Sequence, residues 1–324
     1  MPVALVTGAA GQDGSYLAER LLADGYAVHA LVRPGTPIPV ERPRGAATES
    51  TYHEVDLTDH ARLGGLVDAI EPDEIYNLAG VSSVAQSWTA PVLTAEVSGV
   101  AAVVLLDQAL KLQRRLGRPV RVVQAGSAEI FGQPSTAPQD EATPLRPLSP
   151  YGVAKAMAHQ SVGVFRSQGL FAVSAILYNH ESPRRPVTFV TRKITRAVAT
   201  IAETGTGHLT LGNLAAARDW GWAPDYVDAL IRAARHTDAG DYIVATGQAH
   251  SVEDFVQEAF AHVGIRDWQE HVTIDPALFR PADPAVLVGD ASRARTILGW
   301  RPDVDFAGIV ARMVDHDRAL LRHP

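Results

Sequence analysis

The chain contains no cysteine, which excludes disulfides and thiolate metal sites and is compatible with a reducing cytosol. It has no run of lysine and arginine, and 36 acidic against 29 basic residues give a net charge of −7 and a pI of about 5.9. Nucleic acid and anionic membranes are therefore not expected as main partners, and any local cluster of basic residues needs a local explanation. No apolar run reads as long enough to span a membrane, and no internal repeat or low-complexity tract is found. The start, MPVALVTGAAG, reads as a first strand and not as a secretory leader, so cytoplasm is the expected location. What remains is a chain of 324 residues, 46% hydrophobic, with a mean hydropathy near zero. That suffices for one large or two smaller soluble domains.

Val3 to Thr7 is a short apolar β-type run, followed by Gly8, Gly11 and Gly14 and then the helical pattern SYLAERLLADG. In a strand, glycine turn and helix of this kind the first glycine permits a tight turn. The second lets backbone amides approach a pyrophosphate, and the third allows close helix packing, with the helix N-terminus facing the anion. The turn, including Gln12 and Asp13, is thus read as a dinucleotide cradle. The next strand, Tyr26 to Val32, ends in Arg33, where an acid would select NAD through the ribose hydroxyls; an arginine pairs instead with a 2′-phosphate and favours NADP. The alternative is an ordinary exposed arginine. A proline-rich loop with Arg42 and Arg44 follows.

His53 to Asp56, with Leu57, reads as a third strand whose end reaches an adenine, and Asp59 to Ile70 as a helix. Glu74 to Gly80 is the fourth strand, with Leu78 and Ala79 beneath a cofactor; Ser82 and Ser83 follow at its C-terminal edge, as sugar contacts or turn formers. A long helix, Thr94 to Leu112, leads to a strand, Val120 to Ala125, after which Ser127 and Glu129 emerge. Beyond the strand Phe171 to Leu177 the alternation loosens. A helix is expected over Thr188 to Thr204, a strand in HLTLGN, a helix starting in ARDWGWAPDYV, a strand over Asp241 to Thr246, a helix capped by Ser251, and helices over Ala291 to Leu298 and from about Phe306. The fold class is α/β, a doubly wound parallel sheet of Rossmann type with a smaller interleaved substrate-binding region. The expected division is 1–178 plus about 218–248 for the cofactor, and about 179–217 plus 249–324 for the substrate.

Within SPYGVAK, Tyr151 and Lys155 stand four apart on one helix face. Moving a tyrosine from about 10 to about 7 requires roughly 4 kcal/mol. One ammonium at about 4 Å supplies roughly that at an effective dielectric near 20. The pair alone is more often a solvated helix face. The glycine turn upstream favours an acid–base tyrosine whose phenol is lowered by the lysine.

Taken together these motifs resemble the extended short-chain dehydrogenase/reductase family, with its GxxGxxG spacing, and within it the GDP-mannose 4,6-dehydratases. The resemblance runs nearly end to end, through TGAAGQDGSYLAE at Thr7 to Glu19, PDEIYNLA at Pro72 to Ala79, and NHESPRRPVTFVTRKITRA at Asn179 to Ala197. It continues in LGNLAAARDWGWAPDYV, ATGQAHSVEDFV and the segment from Arg280 to Asp290. It implies an NADP-dependent, redox-neutral dehydration of GDP-mannose to GDP-4-keto-6-deoxy-mannose. Ser127, Glu129, Tyr151 and Lys155 would be catalytic, with Tyr151 taking the C4 hydroxyl proton and Glu129 the C5 proton. Asn179, Val190, Lys193, Arg218, Arg280 and Asp283 would bind the nucleotide sugar; the bland alternative pairs Arg218 with Asp219 and Arg280 with Asp283. No metal is implied. The family pattern also implies a homodimer through the helices Thr94 to Leu112 and Tyr151 to Ser167.

Departures from the family pattern are Pro34 in place of a second basic residue, Val81, Ser82 and Ser83 in place of glutamine, serine and histidine, and Ser127 in place of threonine. Phe131, Trp222, Pro224 and a shortened segment before Asp283 also depart from it. They are expected to cluster near the sugar and the cofactor, and the divergent loop after Arg33 puts tetramer formation in doubt. The competing readings are a reductase of the 4-keto product, a dehydratase or epimerase of another nucleotide sugar, and a noncatalytic NADP-binding regulator.

Overall fold

The computed structural model describes residues 1–37, 50–279 and 286–322. Strands β1 (Val3–Thr7), β2 (Ala27–Val32), β3 (Thr51–Glu54), β4 (Glu74–Asn77), β5 (Arg121–Ala125) and β6 (Phe171–Leu177) run in the same direction, and all but β2 and β3 are joined through described helices, as parallel crossovers require. Strands β7 (Asn179–Glu181), β8 (Leu209–Leu211) and β9 (Ala217–Trp222) lie outside this sheet, whereas β10 (Asp241–Val244) returns to it. The main sheet runs β3-β2-β1-β4-β5-β6-β10, every neighbouring pair parallel. The strand order reverses between β1 and β4, the position where open α/β sheets bind ligands at their C-terminal edge.

Near-continuous apolar strands require cover on both faces. Helices α1 (Gln12–Ala23) and α8 (Ala223–Arg235) supply one, packing Leu17, Leu21, Tyr226 and Leu230 into the core. Helices α2 (His60–Ile70), α5 (Ala101–Leu116) and α6 (Pro150–Ser167) supply the other through Leu63, Leu105, Leu106 and Val162. Two short helices, α3 (Val84–Thr89) and α4 (Pro91–Ala95), precede α5, and a π turn over Glu96–Val100 joins α4 to α5. Contrary to the sequence reading, this joined segment, Pro91–Leu116, is long and apolar enough by length and composition to cross a membrane. In the fold the α5 part packs Ala101, Leu105, Leu106 and Ala109 into the sheet core, while Val92 and Leu93 of α4 stay exposed.

The second region is held by α7 (Val190–Thr204), α9 (Val252–His262) and α11 (Phe306–Arg322) around Ile194, Phe255 and Met313, with α10 (Ser292–Ile297) returning to the main sheet. Strand β9 pairs with β7, with β11 (Ala249–Ser251) and with β13 (Val286–Leu287); β8 pairs with β12 (Val272–Ile274). A buried ion pair, Arg192 to Asp317 at 2.7 Å, with Thr195 donating to the same carboxylate, ties α7 to α11.

Two boundaries differ from the sequence reading. ARDWGW forms β9, and the helix begins only at Ala223, with Pro224 in its first turn where a missing N–H costs nothing. Ala, Asp and Gly alternate there with Arg, Trp and Trp, a period of two. The third strand covers Thr51–Glu54 and not His53 to Asp56, because Asp56 turns back to accept from the backbone N–H and hydroxyl of Thr58 at 2.9 and 2.8 Å.

Candidate active site

A cleft of about 520 Å³ lies at the C-terminal edge of the main sheet, against the second region. Ser127, Glu129, Tyr151 and Lys155 line it together with Ser82, Ser83, Asn179, Val190, Lys193 and Arg218. Residues far apart in sequence thus meet in one cavity because the parallel strands all end on the same edge.

Tyr151 sits in the first turn of α6, which Ser149 caps by accepting from the Gly152 N–H at 3.1 Å, with Pro150 at the first helical position. Gly152 is needed next to it: a side chain there would meet the Glu129 carbonyl at 2.7 Å, so only glycine lets the Glu129 turn lie against the helix. Ser127 is buried at the end of β5 and caps the short turn Ala128–Ile130, its hydroxyl accepting from the Glu129 N–H at 3.3 Å, and it lines the cleft with Tyr151. Lys155 is buried and donates from Nζ to the Ala125 carbonyl at 2.8 Å, while lying 5.8 Å from the Tyr151 ring centre. Behind it a buried chain crosses the strand ends. Thr7 donates to Asn77 at 2.6 Å, Asn77 to Gln124 at 2.6 Å, and Gln124 to that same Ala125 carbonyl at 2.9 Å. The lysine is therefore fixed by the sheet itself.

The electrostatics differ from the sequence expectation in direction. Burial pushes the Tyr151 phenol up to about 12, helped by the Glu129 charge and opposed by the Ser127 hydrogen bond and the Arg185 charge. Burial also pulls Lys155 down to about 8. The ammonium is engaged with a carbonyl and desolvation dominates, so the protein alone keeps the phenol protonated.

The glycine turn has the shape of a phosphate cradle. Gly8 has φ of +69°, and a side chain there would press on the Ala79 backbone at 3.0 Å. A side chain on Gly14 would overlap the Gly8 carbonyl. Gly11 precedes α1, and among the described residues no side chain caps its first amides. These donors, together with the dipole of a 12-residue helix, fit a pyrophosphate. Leu78 and Ala79 donate their N–H groups to Thr7 Oγ1 at 3.1 and 3.0 Å, closing the floor beside the turn. Arg33 is exposed at the end of β2, and its charge holds Asp56 lower after the two Thr58 hydrogen bonds have done so; Leu57 is buried beside them.

At the other end of the cleft, Lys193 in α7 donates to the Thr210 carbonyl at 2.6 Å, and Arg218 is buried on β9. Asp219 does not serve as its partner in the way the bland alternative required. As the next residue of the strand it points to the opposite face, where its carboxylate accepts from Thr246, Gly247 and Gly289. Arg280 and Asp283, like Arg42 and Arg44, lie outside the described residues.

Two cleft residues were missed from sequence. Arg185 lines the cleft near Tyr151, stacked 3.9 Å over the Phe189 ring, and His180 joins it through Asp13 at 2.8 Å. Both belong to NHESPRR, whose adjoining charges signalled a site without saying which residues face inward. The departures separate as well. Val81, Ser82 and Ser83 line the cleft, but Phe131 and Trp222 are buried in hydrophobic cores and Pro224 starts a helix. Those three stabilise the scaffold and do not cluster around the sugar as expected.

A Rossmann-type sheet carrying this constellation at its switch point is the architecture of short-chain dehydrogenase/reductase enzymes. The structure is similar to the UDP-glucose 4-epimerase of Thermus thermophilus in complex with NAD, with a TM-score of 0.84 and 28% identity over 98% of this chain and 99% of that one. The family model described as GDP-mannose 4,6 dehydratase matches residues 5–313. The chain is 44% identical to GDP-mannose 4,6 dehydratase 2 of Arabidopsis thaliana over 99% of this chain and 88% of that protein. It is 41% identical to the human GDP-mannose 4,6 dehydratase over 99% and 92%. The chain belongs to the GDP-mannose 4,6-dehydratase family, and it is an enzyme of the hydro-lyase class.

Proposed function

We propose that this enzyme converts GDP-mannose to GDP-4-keto-6-deoxy-mannose with NADP as its cofactor. The reading is carried by the meeting of Ser127, Glu129, Tyr151 and Lys155 in one cleft that also holds Asn179, Lys193 and Arg218 for a nucleotide. The glycine turn at Gly8, Gly11 and Gly14 would hold a nicotinamide dinucleotide, which would supply the hydride acceptance and return that a redox-neutral dehydration needs. Tyr151 takes the C4 hydroxyl proton, and Ser127, which lines the cleft beside it, shares the hydrogen bond to the C4 oxygen. The protein, Lys155 included, holds the phenol near 12, so Tyr151 needs further positive charge to act near neutrality, which an oxidised nicotinamide would supply. The 4-ketone acidifies the C5 proton; Glu129 removes it and delivers a proton to the C6 hydroxyl, which leaves as water. One water is lost and no net oxidation occurs. Lys193 and Arg218 place cations toward the diphosphate. Turnover should be seen with GDP-mannose and not with UDP-glucose or dTDP-glucose; activity with either of the latter instead would contradict the substrate assignment.

The NADP assignment rests on Arg33. Arg33→Ala is expected to weaken NADP+ by about tenfold to a hundredfold, as a lost charged hydrogen bond does, and to leave NAD+ unchanged. Equal losses for both would contradict it. The proposed division is 1–178 with about 218–248 for the cofactor, and about 179–217 with 249–324 for the nucleotide sugar. We also propose a homodimer, because α6 exposes Val153, Met157 and Val164 along its outer side and α4 exposes Val92 and Leu93. Light scattering should give twice the chain mass, and a monomer at working concentration would refute the dimer.

A further inference from the structure

His180 carries more information than its place at the cleft edge. Its ring is buried, and both ring nitrogens face oxygen: Nδ1 lies 2.7 Å from the Tyr178 carbonyl and Nε2 lies 2.8 Å from Asp13 Oδ2. A carbonyl cannot donate, and neither can an ionised carboxylate. A neutral imidazole has one donor and one acceptor nitrogen, so it satisfies only one of these contacts; an imidazolium satisfies both. The other Asp13 oxygen, Oδ1, accepts from the Gln12 amide at 3.1 Å, which favours the ionised carboxylate. Below the ring, Tyr226 of α8 stacks at 4.5 Å, a face that attracts a cation.

We propose that His180 is held as a doubly protonated imidazolium and acts as a positioning residue, pinning Asp13 and the glycine turn to strand β7 on the substrate side. The same joint is reinforced by Gln12, which donates to the His180 carbonyl at 3.1 Å and accepts from Ser182 at 2.8 Å. The cation also neutralises Asp13, whose negative charge is felt by both Tyr151 and Lys155. The groups facing His180 are Asp13 from α1, Tyr226 from α8 and Arg185 from the segment after β7. Burial and Arg185 work against the charge, and the Asp13 pair outweighs them to raise the imidazole above its ordinary range. For Asp13 burial is likewise outweighed, by the His180 charge and hydrogen bond, and its carboxyl is held below its ordinary range. The pair therefore exists between the depressed carboxyl pKa and the raised imidazole pKa, and is lost as pH rises through the latter.

The effect on cofactor binding rests on reading the glycine turn as the cofactor cradle, but the protonation state does not. In uniformly 15N-labelled protein at about pH 7.5, above the ordinary histidine range, both His180 ring nitrogens should carry protons, with the signals assigned by their absence in His180→Gln. In Asp13→Asn the amide can donate to Nε2, so that nitrogen should become unprotonated. An unprotonated ring nitrogen in the unsubstituted protein overturns the proposal, as does an imidazolium that persists in Asp13→Asn. NADP+ affinity should fall by about tenfold in Asp13→Asn, the loss of one charge-assisted bond. In the unsubstituted protein it should also decline as pH rises through the His180 titration, a dependence that Asp13→Asn lacks. Protonation as expected, with affinity unmoved by either change, would overturn the positioning role alone.

Discussion

Tyr151→Phe is expected to lower turnover by about 10²- to 10⁴-fold, the contribution of a lost acid–base group, while cofactor affinity stays within a factor of about two. The ring in the first turn of α6 is retained, and only the phenol hydroxyl is lost. Lys155 keeps its own bond to the Ala125 carbonyl, so the rest of the site has no reason to move. Steady-state rates on GDP-mannose and a fluorescence titration with NADPH separate the two quantities. Turnover that survives the substitution would remove Tyr151 from the chemistry. The pH profile carries a second check. Lys155 is pulled down to about 8, so its cation is lost as pH rises through that value, and activity should fall there. On the acidic side the rate should rise with pH, because the phenolate is the working form of Tyr151.

Glu129→Gln is expected to stop water loss with a comparable fall of about 10²- to 10⁴-fold. The change is nearly isosteric, and the turn that carries residue 129 is set by the Ser127 cap and by the close approach of Gly152, neither of which needs the carboxylate. Oxidation at C4 still has Tyr151 and Lys155, so the two halves of the reaction should come apart. Reduced cofactor should build up on the enzyme, seen by its absorbance, without release of a dehydrated product. Unimpaired dehydration would show that another group removes the C5 proton. Absence of any cofactor reduction would show that Glu129 acts earlier, at C4.

Much of this site could be read from residues whose chemistry is local. Gly8, Gly11 and Gly14 sit between a strand and a helix because the turn, the anion approach and the helix packing each exclude a side chain, and that logic is legible in seven residues. Ser149, Pro150 and Gly152 likewise carry a helix start and a close contact in one short stretch. What escaped was non-local. Asp13 and His180 meet across 167 positions of sequence, through a packing of α1 against β7 that no spacing rule announces. The phenol pKa was read in the wrong direction because a sequence shows the lysine four residues away but not the burial that opposes it. Trp222 and Phe131 look like changes at a sugar site when aligned beside catalytic motifs, yet their side chains turn into the cores. ARDWGW was read as a helix start because its following residues are helical; its own alternation was the better signal.

The central claim is an internal redox cycle that removes water, and mass balance tests it most directly. Purified protein incubated with GDP-mannose and a catalytic amount of NADP+ should convert the sugar nucleotide to a species lighter by one water, with the cofactor still oxidised at the end. A product of unchanged mass, or one that appears only as the cofactor is consumed, would contradict the account.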